Sequence, residues 1–243
     1  MRKFYFTFIL LFPICLIAQT DWEDIEPVEF LKELRVFEEL IPEGESYSFS
    51  TSYLVYNDFA DVMPIQTHSG YLVSKNGVDF NISQMGYLII QNEKYNVSID
   101  SINRQLVVQF SDPAFSYRKT LEDYSKLTEV TEEIKKRVAN NTTYYSLILK
   151  PGYSFHSMEY AFTKDNLISE IVIYGNRPYS SEDENSGNSM NRSKVIIRFT
   201  DFKIGKNVSF KEFVSLEELI HFDNDRIEPL GKYEKYEILD LRE

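Results

Sequence analysis

Two hydrophobic periods alternate along the chain. Between Pro27 and Ile41, the residues Phe30, Leu31, Leu34, Phe37, Leu40 and Ile41 recur at intervals of three and four, with Glu and Lys between them. That spacing predicts an amphipathic helix. Pro27 suits its first turn, and Pro42 with Gly44 ends it. The period then changes to two. Tyr47–Tyr56, Gly70–Ser74, Val78–Ile82, Tyr87–Ile90, Tyr95–Ile99 and Leu106–Phe110 read as strands. Asn76-Gly77 is a hairpin signal, and Gln91–Lys94 and Asp100–Arg104 are further turns.

A second helical pattern follows. Asp112-Pro113 supplies an N-cap and a first-turn proline. Tyr117, Leu121, Tyr124, Leu127, Val130, Ile134 and Val138 then step by three or four, with charged residues on the opposite side, until Asn140-Asn141. This predicts one long central helix over residues 113–139 that must lay its stripe on a sheet. Strands resume at Thr143–Leu149, Ser157–Thr163, Leu167–Tyr174 and Lys194–Phe202, with a tight turn at Asp165-Asn166. The polar stretch between Arg177 and Arg192 reads as a loop within the domain. Ser215–His221 reads as a short helix and Tyr236–Leu241 as a last strand.

The first eighteen residues stand apart. Arg2 and Lys3 precede an apolar run from Phe4 to Ile17, closed by Ala18 and followed by Asp21, Glu23 and Asp24. This is the layout of a secretory signal, and the run is short of the ~20 residues that span a bilayer. The expectation is cleavage after Ala18, a periplasmic or secreted product over residues 19–243, and no integral membrane segment thereafter. Cys15, the only cysteine, leaves with the signal; Ile14 before it is too large for a lipoprotein cleavage site. The mature chain then has no thiol chemistry.

The net charge of −12 becomes two units more negative once Arg2 and Lys3 leave. An acidic surface of this kind argues against nucleic acid as a partner. Seventeen tyrosines and eighteen phenylalanines favour strands. His68, His156 and His221 lack metal-ligand spacing, no Gly-x-Ser-x-Gly elbow occurs, and no phosphate-cradling glycine motif occurs. Asp223-Asn224-Asp225 lacks the glycine and glutamate of a calcium loop. No catalytic residue, metal or cofactor is expected.

The order of elements is similar to that of the LolA/LolB lipoprotein carriers. Local phrasing is similar too: Ser69-Gly70-Tyr71-Leu72-Val73, Met85-Gly86-Tyr87-Leu88-Ile89-Ile90 and Glu93-Lys94-Tyr95-Asn96-Val97-Ser98-Ile99-Asp100. The resemblance implies an α+β fold: a curved antiparallel sheet, an unclosed half-barrel of about ten or eleven strands, covered by the N-terminal helix and the long central helix. It also implies an apolar cavity under the helix, lined by Tyr117, Leu121, Tyr124, Leu127, Val130 and Ile134, holding a lipid or acyl chain. Carriers of this family hold their helical cover with an arginine on an early strand, whereas Tyr47–Asp58 contains no basic residue. The alternative is an interaction subunit of a cell-envelope assembly, with a filled core and an envelope protein as partner.

Overall fold

The computed structural model describes residues 21–41, 44–111, 124–176, 192–223 and 226–242. In chain order the elements are β1 (Glu23–Asp24), α1 (Pro27–Glu39), β2 (Tyr47–Tyr56), β3 (Gln66–Ser74), β4 (Phe80–Gln84), β5 (Tyr87–Gln91), β6 (Tyr95–Asp100) and β7 (Gln105–Phe110). There follow α2 (Tyr124–Val130), β8 (Thr131–Ala139), β9 (Thr142–Leu149), β10 (Phe155–Thr163), β11 (Ile168–Gly175) and β12 (Lys194–Ile204). A hairpin of β13 (Ile220–Asp223) and β14 (Arg226–Pro229) precedes β15 (Glu237–Asp240).

Thirteen strands form one open sheet in the order β1-β8-β9-β10-β11-β12-β2-β3-β4-β5-β6-β7-β15, not closed into a barrel. Every pairing is antiparallel except β15, which runs parallel to β7. Both edges are guarded by short strands: β1 pairs Glu23 and Asp24 with Lys136 and Lys135, and β15 covers β7. Short, charged edges resist pairing with other chains. Among the described residues no helix is long and apolar enough to cross a membrane.

The long central helix is corrected. Among the described residues of 113–139, helix is present only over Tyr124–Val130, and Thr131–Ala139 is strand β8, paired with β9 from Thr131↔Leu149 to Ala139↔Thr142. Ile134 and Val138 are four apart, a spacing that satisfies a helical stripe and, being even, one face of a strand equally. Asn140 and Asn141 both hold positive φ, 51° and 61°, so they form the two-residue hairpin turn joining β8 to β9 rather than a helix stop. The switch sits at Thr131, whose hydroxyl donates to the Leu127 carbonyl at 2.7 Å. Residues 112–123, where that helix was expected to begin, lie outside the described residues. The short helix expected over Ser215–His221 is likewise only a 3-10 turn at Leu216–Glu218, after which Ile220 begins β13.

Two cores lie on opposite faces of the sheet. On the first face α1 inserts Phe30, Leu34 and Phe37 among Ile134, Tyr145, Leu147, Tyr160 and Phe162 of β8–β10. Phe30 is fully buried, with its ring 5.2 Å from Tyr145 and 5.4 Å from Tyr160. A register irregularity in β12 between Thr200 and Lys203, with Asp201 at φ 54°, turns Phe199 and Phe202 to this same face. Both rings pack on Phe49, Phe202 stacked at 5.7 Å. On the second face the C-terminal segment lays Leu216, Leu219, Ile220 and Tyr233 against Ile90, Val97, Ile99, Leu106 and Val108 of β5–β7. The Asn81 amide beneath it donates to the Val214 carbonyl at 3.0 Å.

Candidate functional site

Among the described residues the two cores leave half-exposed the first face of β4 to β7 and β15, as well as the second face of β8 to β12. Cross-strand register sets an apolar row across the former. Phe49 faces Leu72, Leu72 faces Ile82, Ile82 faces Ile89, Ile89 faces Ser98, Ser98 faces Val107, and Val107 faces Leu239. Directly opposed residues share a face, so the row is continuous and interrupted by one small hydroxyl.

Exposure rises along this row. Phe49 and Leu72 are buried, at 5% and 3%, and are covered by Ile41 just past α1. Ile82, Ile89 and Val107 are half-buried, and Leu239 is 44% exposed at the sheet edge. Neighbouring strands lie about 4.8 Å apart, so the four steps from Ile82 to Leu239 span roughly 19 Å.

Polar rows flank the stripe. On one side Tyr87 faces Asp100, Asp100 faces Gln105, and Gln105 faces Glu237. Farther along this side Tyr53 donates to Gln84 Oε1 at 2.7 Å, and burial raises the pKa of its hydroxyl. Gly70 lies here because nothing larger fits: a Cβ would come 2.3 Å from the Ser83 carbonyl oxygen and 2.7 Å from Thr51 Oγ1. The backbone N–H of Asn103, the Asn103 side chain, the N–H of Ile102 and the Tyr87 hydroxyl hold the Asp100 carboxyl below its ordinary range. On the other side Gln91 and Asn96 are buried, and the Asn96 amide donates to Gln91 Oε1 at 2.9 Å.

The predicted lining residues are not brought together as expected. Ile134 is 4% exposed in the α1 core and sits on β8; Leu127 of α2 packs half-buried against that same core, and Val130 is half-buried beside it. Tyr124 falls on α2, its side chain outside the described set, and Tyr117 and Leu121 lie outside the described residues altogether. Under α1 the space is filled by Phe30, Leu34 and Phe37. The row of Ile82, Ile89, Val107 and Leu239 was missed because Leu88-Ile89-Ile90 is apolar at successive positions. Alternation cannot say which of two apolar faces a core will take.

Other features are less suited to an apolar ligand. A cleft of about 390 Å³ between the β3–β4 and β5–β6 turns and residues 213–217 has a mixed wall, with Lys75, Asp79, Glu93, Lys94 and Glu217 beside Ile90, Phe213, Val214 and Leu216. On the second face of β8–β11, Arg137 lies between the Trp22 and Tyr144 rings, at 4.7 and 4.9 Å. Near it burial raises the Glu159 carboxyl, against the pull of Arg137, and burial with Glu159 pushes Tyr174 up to about 12. His68 Nε2 lies 3.2 Å from Gln66 Oε1, and His156 and His221 are exposed. Among the described residues no group of three His, Cys, Asp or Glu could hold a metal.

No protein-family model matches the chain, and no curated protein sequence matches it significantly. Among solved structures there are distant likenesses. An uncharacterized conserved protein from Thermus thermophilus is 9% identical, with a TM-score of 0.44, over 87% of this chain and 99% of that one. A LolA-superfamily protein from Nitrosomonas europaea is 8% identical, with a TM-score of 0.27, over 76% of this chain and 96% of that one. A DUF1329-family protein from Desulfovibrio piger is 14% identical, with a TM-score of 0.35, over 78% and 98%. The function is read from the chain's own residues.

Proposed function

We propose that the protein is an exported, non-enzymatic binding protein that holds an acyl chain along the apolar row Ile82–Ile89–Val107–Leu239. On this reading residues 1–18 are a signal cleaved after Ala18, and residues 19–243 act as a single domain in the periplasm or outside the cell. The observation that carries the reading is the register: an apolar stripe roughly 19 Å long, half-exposed and flanked by polar rows.

Native mass spectrometry of gently purified protein, with titration of a neutral fluorescent alkyl probe, tests this. Co-purified lipid and saturable probe binding are expected, both lost in Ile89→Asp and kept in Val62→Asp. Absence of lipid together with absence of probe binding rejects the acyl site.

A second reading, an interaction subunit of an envelope assembly, draws on the β2–β3 loop. Asp58 and Asp61 turn inward there: Asp58 Oδ1 accepts from Ala60 N at 2.8 Å, and Asp61 Oδ2 from Asp58 N at 2.9 Å. Phe59, Val62, Met63 and Ile65 face solvent, with Val62 87% exposed. A stoichiometric envelope partner recovered with the parent chain, and lost in Met63→Asp, would favour it.

A further inference from the structure

We infer that the cleft between the β3–β4 turn, the β5–β6 turn and residues 213–217 binds a free α-amino acid with an apolar side chain, its amine donating to Asp79 and its carboxylate facing Lys75 and Lys94. The site is separate from the apolar row and does not rest on the acyl-binding reading.

The three walls of the cleft are held by their own side chains. In the first turn Asn76 Oδ1 accepts from the N–H groups of Val78 and Asp79, at 3.0 and 2.7 Å. In the second Asn92 Oδ1 accepts from those of Lys94 and Tyr95, at 2.9 and 2.8 Å. The Asn81 amide fixes the third wall through the Val214 carbonyl. Ile90 and Leu216, from the rim of the second core, join Val214 in an apolar side. At about 390 Å³ the cleft falls at the small end of ligand sites, which run to roughly 300–1,000 Å³.

Two observations set the chemistry of the ligand. Among the described residues Asp79 Oδ1 is buried with no hydrogen-bond partner, while its Oδ2 accepts from Asn76 Nδ2 at 3.3 Å. Asn81 Oδ1, two residues on and fully buried, is unmatched too. Buried acceptors of this kind are costly, and a ligand that brings N–H donors to this corner relieves the cost. The cleft also carries charges of both signs without pairing them. Lys75 Nζ stands over the Phe213 ring, 3.8 Å from its centroid, and Lys94 Nζ over Tyr95 at 4.9 Å. Among the described residues neither ammonium makes an ion pair, although Asp79, Glu93 and Glu217 line the same cleft. A simple cation would meet the two lysines, and a simple anion the three carboxylates. A zwitterion matches both, and its amine supplies donors to a carboxylate that has one oxygen to spare.

Isothermal titration calorimetry at about pH 6.5, where the ligand amines are protonated, and at low ionic strength tests the inference. L-leucine should bind saturably. Leucinamide, 4-methylpentanoate and glycine lack in turn the carboxylate, the amine and the side chain, and each should bind at least about tenfold more weakly. Lys75→Gln should weaken leucine and leave the weaker binding of leucinamide unchanged. Asp79→Asn should weaken leucine and leave 4-methylpentanoate unchanged, with circular dichroism to show that the turn held by Asn76 persists. Lys94→Gln, at an exposed position, should act as Lys75→Gln does without that concern. Ile89→Asp should bind leucine as the parent does, so the outcome here is independent of the acyl site. Leucinamide, 4-methylpentanoate or glycine binding as tightly as leucine overturns the inference. So does leucine affinity unchanged in both lysine variants, and so does an absence of leucine binding, whatever the alkyl probe does at the row.

Discussion

Phe30→Ala, set against Ile89→Ala, separates a filled face from a binding face. Phe30 is fully buried under α1, between Tyr145 and Tyr160, with Leu34 and Phe37 along the same helix. Its truncation removes a whole aromatic side chain from a closed cluster and leaves a cavity, which costs about 3–5 kcal/mol. In a domain of this size each kcal/mol lowers the melting temperature by about 2–4 °C, so a fall of roughly 6–20 °C is expected. Ile89 sits in the open row, half-buried, and loses only part of the transfer energy of its side chain, about 1 kcal/mol. Its melting temperature should fall by no more than about 4 °C while the alkyl probe binds about fivefold more weakly. The assay is thermal unfolding followed by circular dichroism on both variants, with the probe titration run alongside. If Ile89→Ala destabilises as much as Phe30→Ala, the row is core, and the division of the sheet into a filled half and an open half is wrong.

Two further outcomes follow from single contacts. Gly70→Ala drives a Cβ to 2.3 Å from the Ser83 carbonyl oxygen, where backbone must shift; a loss of about 1–3 kcal/mol or more is expected in urea unfolding, and an unchanged midpoint would contradict the close approach of β3 and β4. Burial raises the Glu159 carboxyl above its ordinary value, with Arg137 opposing and Glu170 adding to the rise. A carboxyl raised in the folded state stabilises below its unfolded pKa and loses that contribution as pH climbs through the folded one. Glu159→Gln should therefore flatten the stability profile from the ordinary carboxylate range upward and match or exceed the parent at pH near 7; a variant that is less stable there would show that Arg137 needs the charge.

Much of the architecture was legible in local pattern. The helix α1, the alternating strands from Tyr47 to Phe110 and the hairpin at Asp165-Asn166 were readable because each carries its own period and its own turn chemistry. Asn166 at φ 58° and Gly77 at φ 82° occupy the left-handed positions those turns need. The segment Thr131–Ala139 was not readable. Its Glu, Lys and Arg are good helix formers, and Ile134 and Val138 fit either period. What decides it is pairing: β9 on one side along its length and β1 on the other, with Lys136 Nζ reaching Glu29 of α1 at 2.8 Å. The signal that could have told was Asn140-Asn141, a hairpin turn as readily as a helix stop.

The sequence by itself determined which residues are apolar, where the chain turns and how acidic the surface is, because those depend on side-chain chemistry and on neighbours a few positions away. Tertiary structure alone decided which face each core takes. Leu88, Ile89 and Ile90 are alike as letters, yet Ile90 is buried under the C-terminal segment and Ile89 stands half-exposed on the opposite face. The difference arises from what packs over each side, namely residues more than a hundred positions distant. Register then turned scattered strand residues into one stripe, since cross-strand neighbours are set by pairing and not by spacing along the chain.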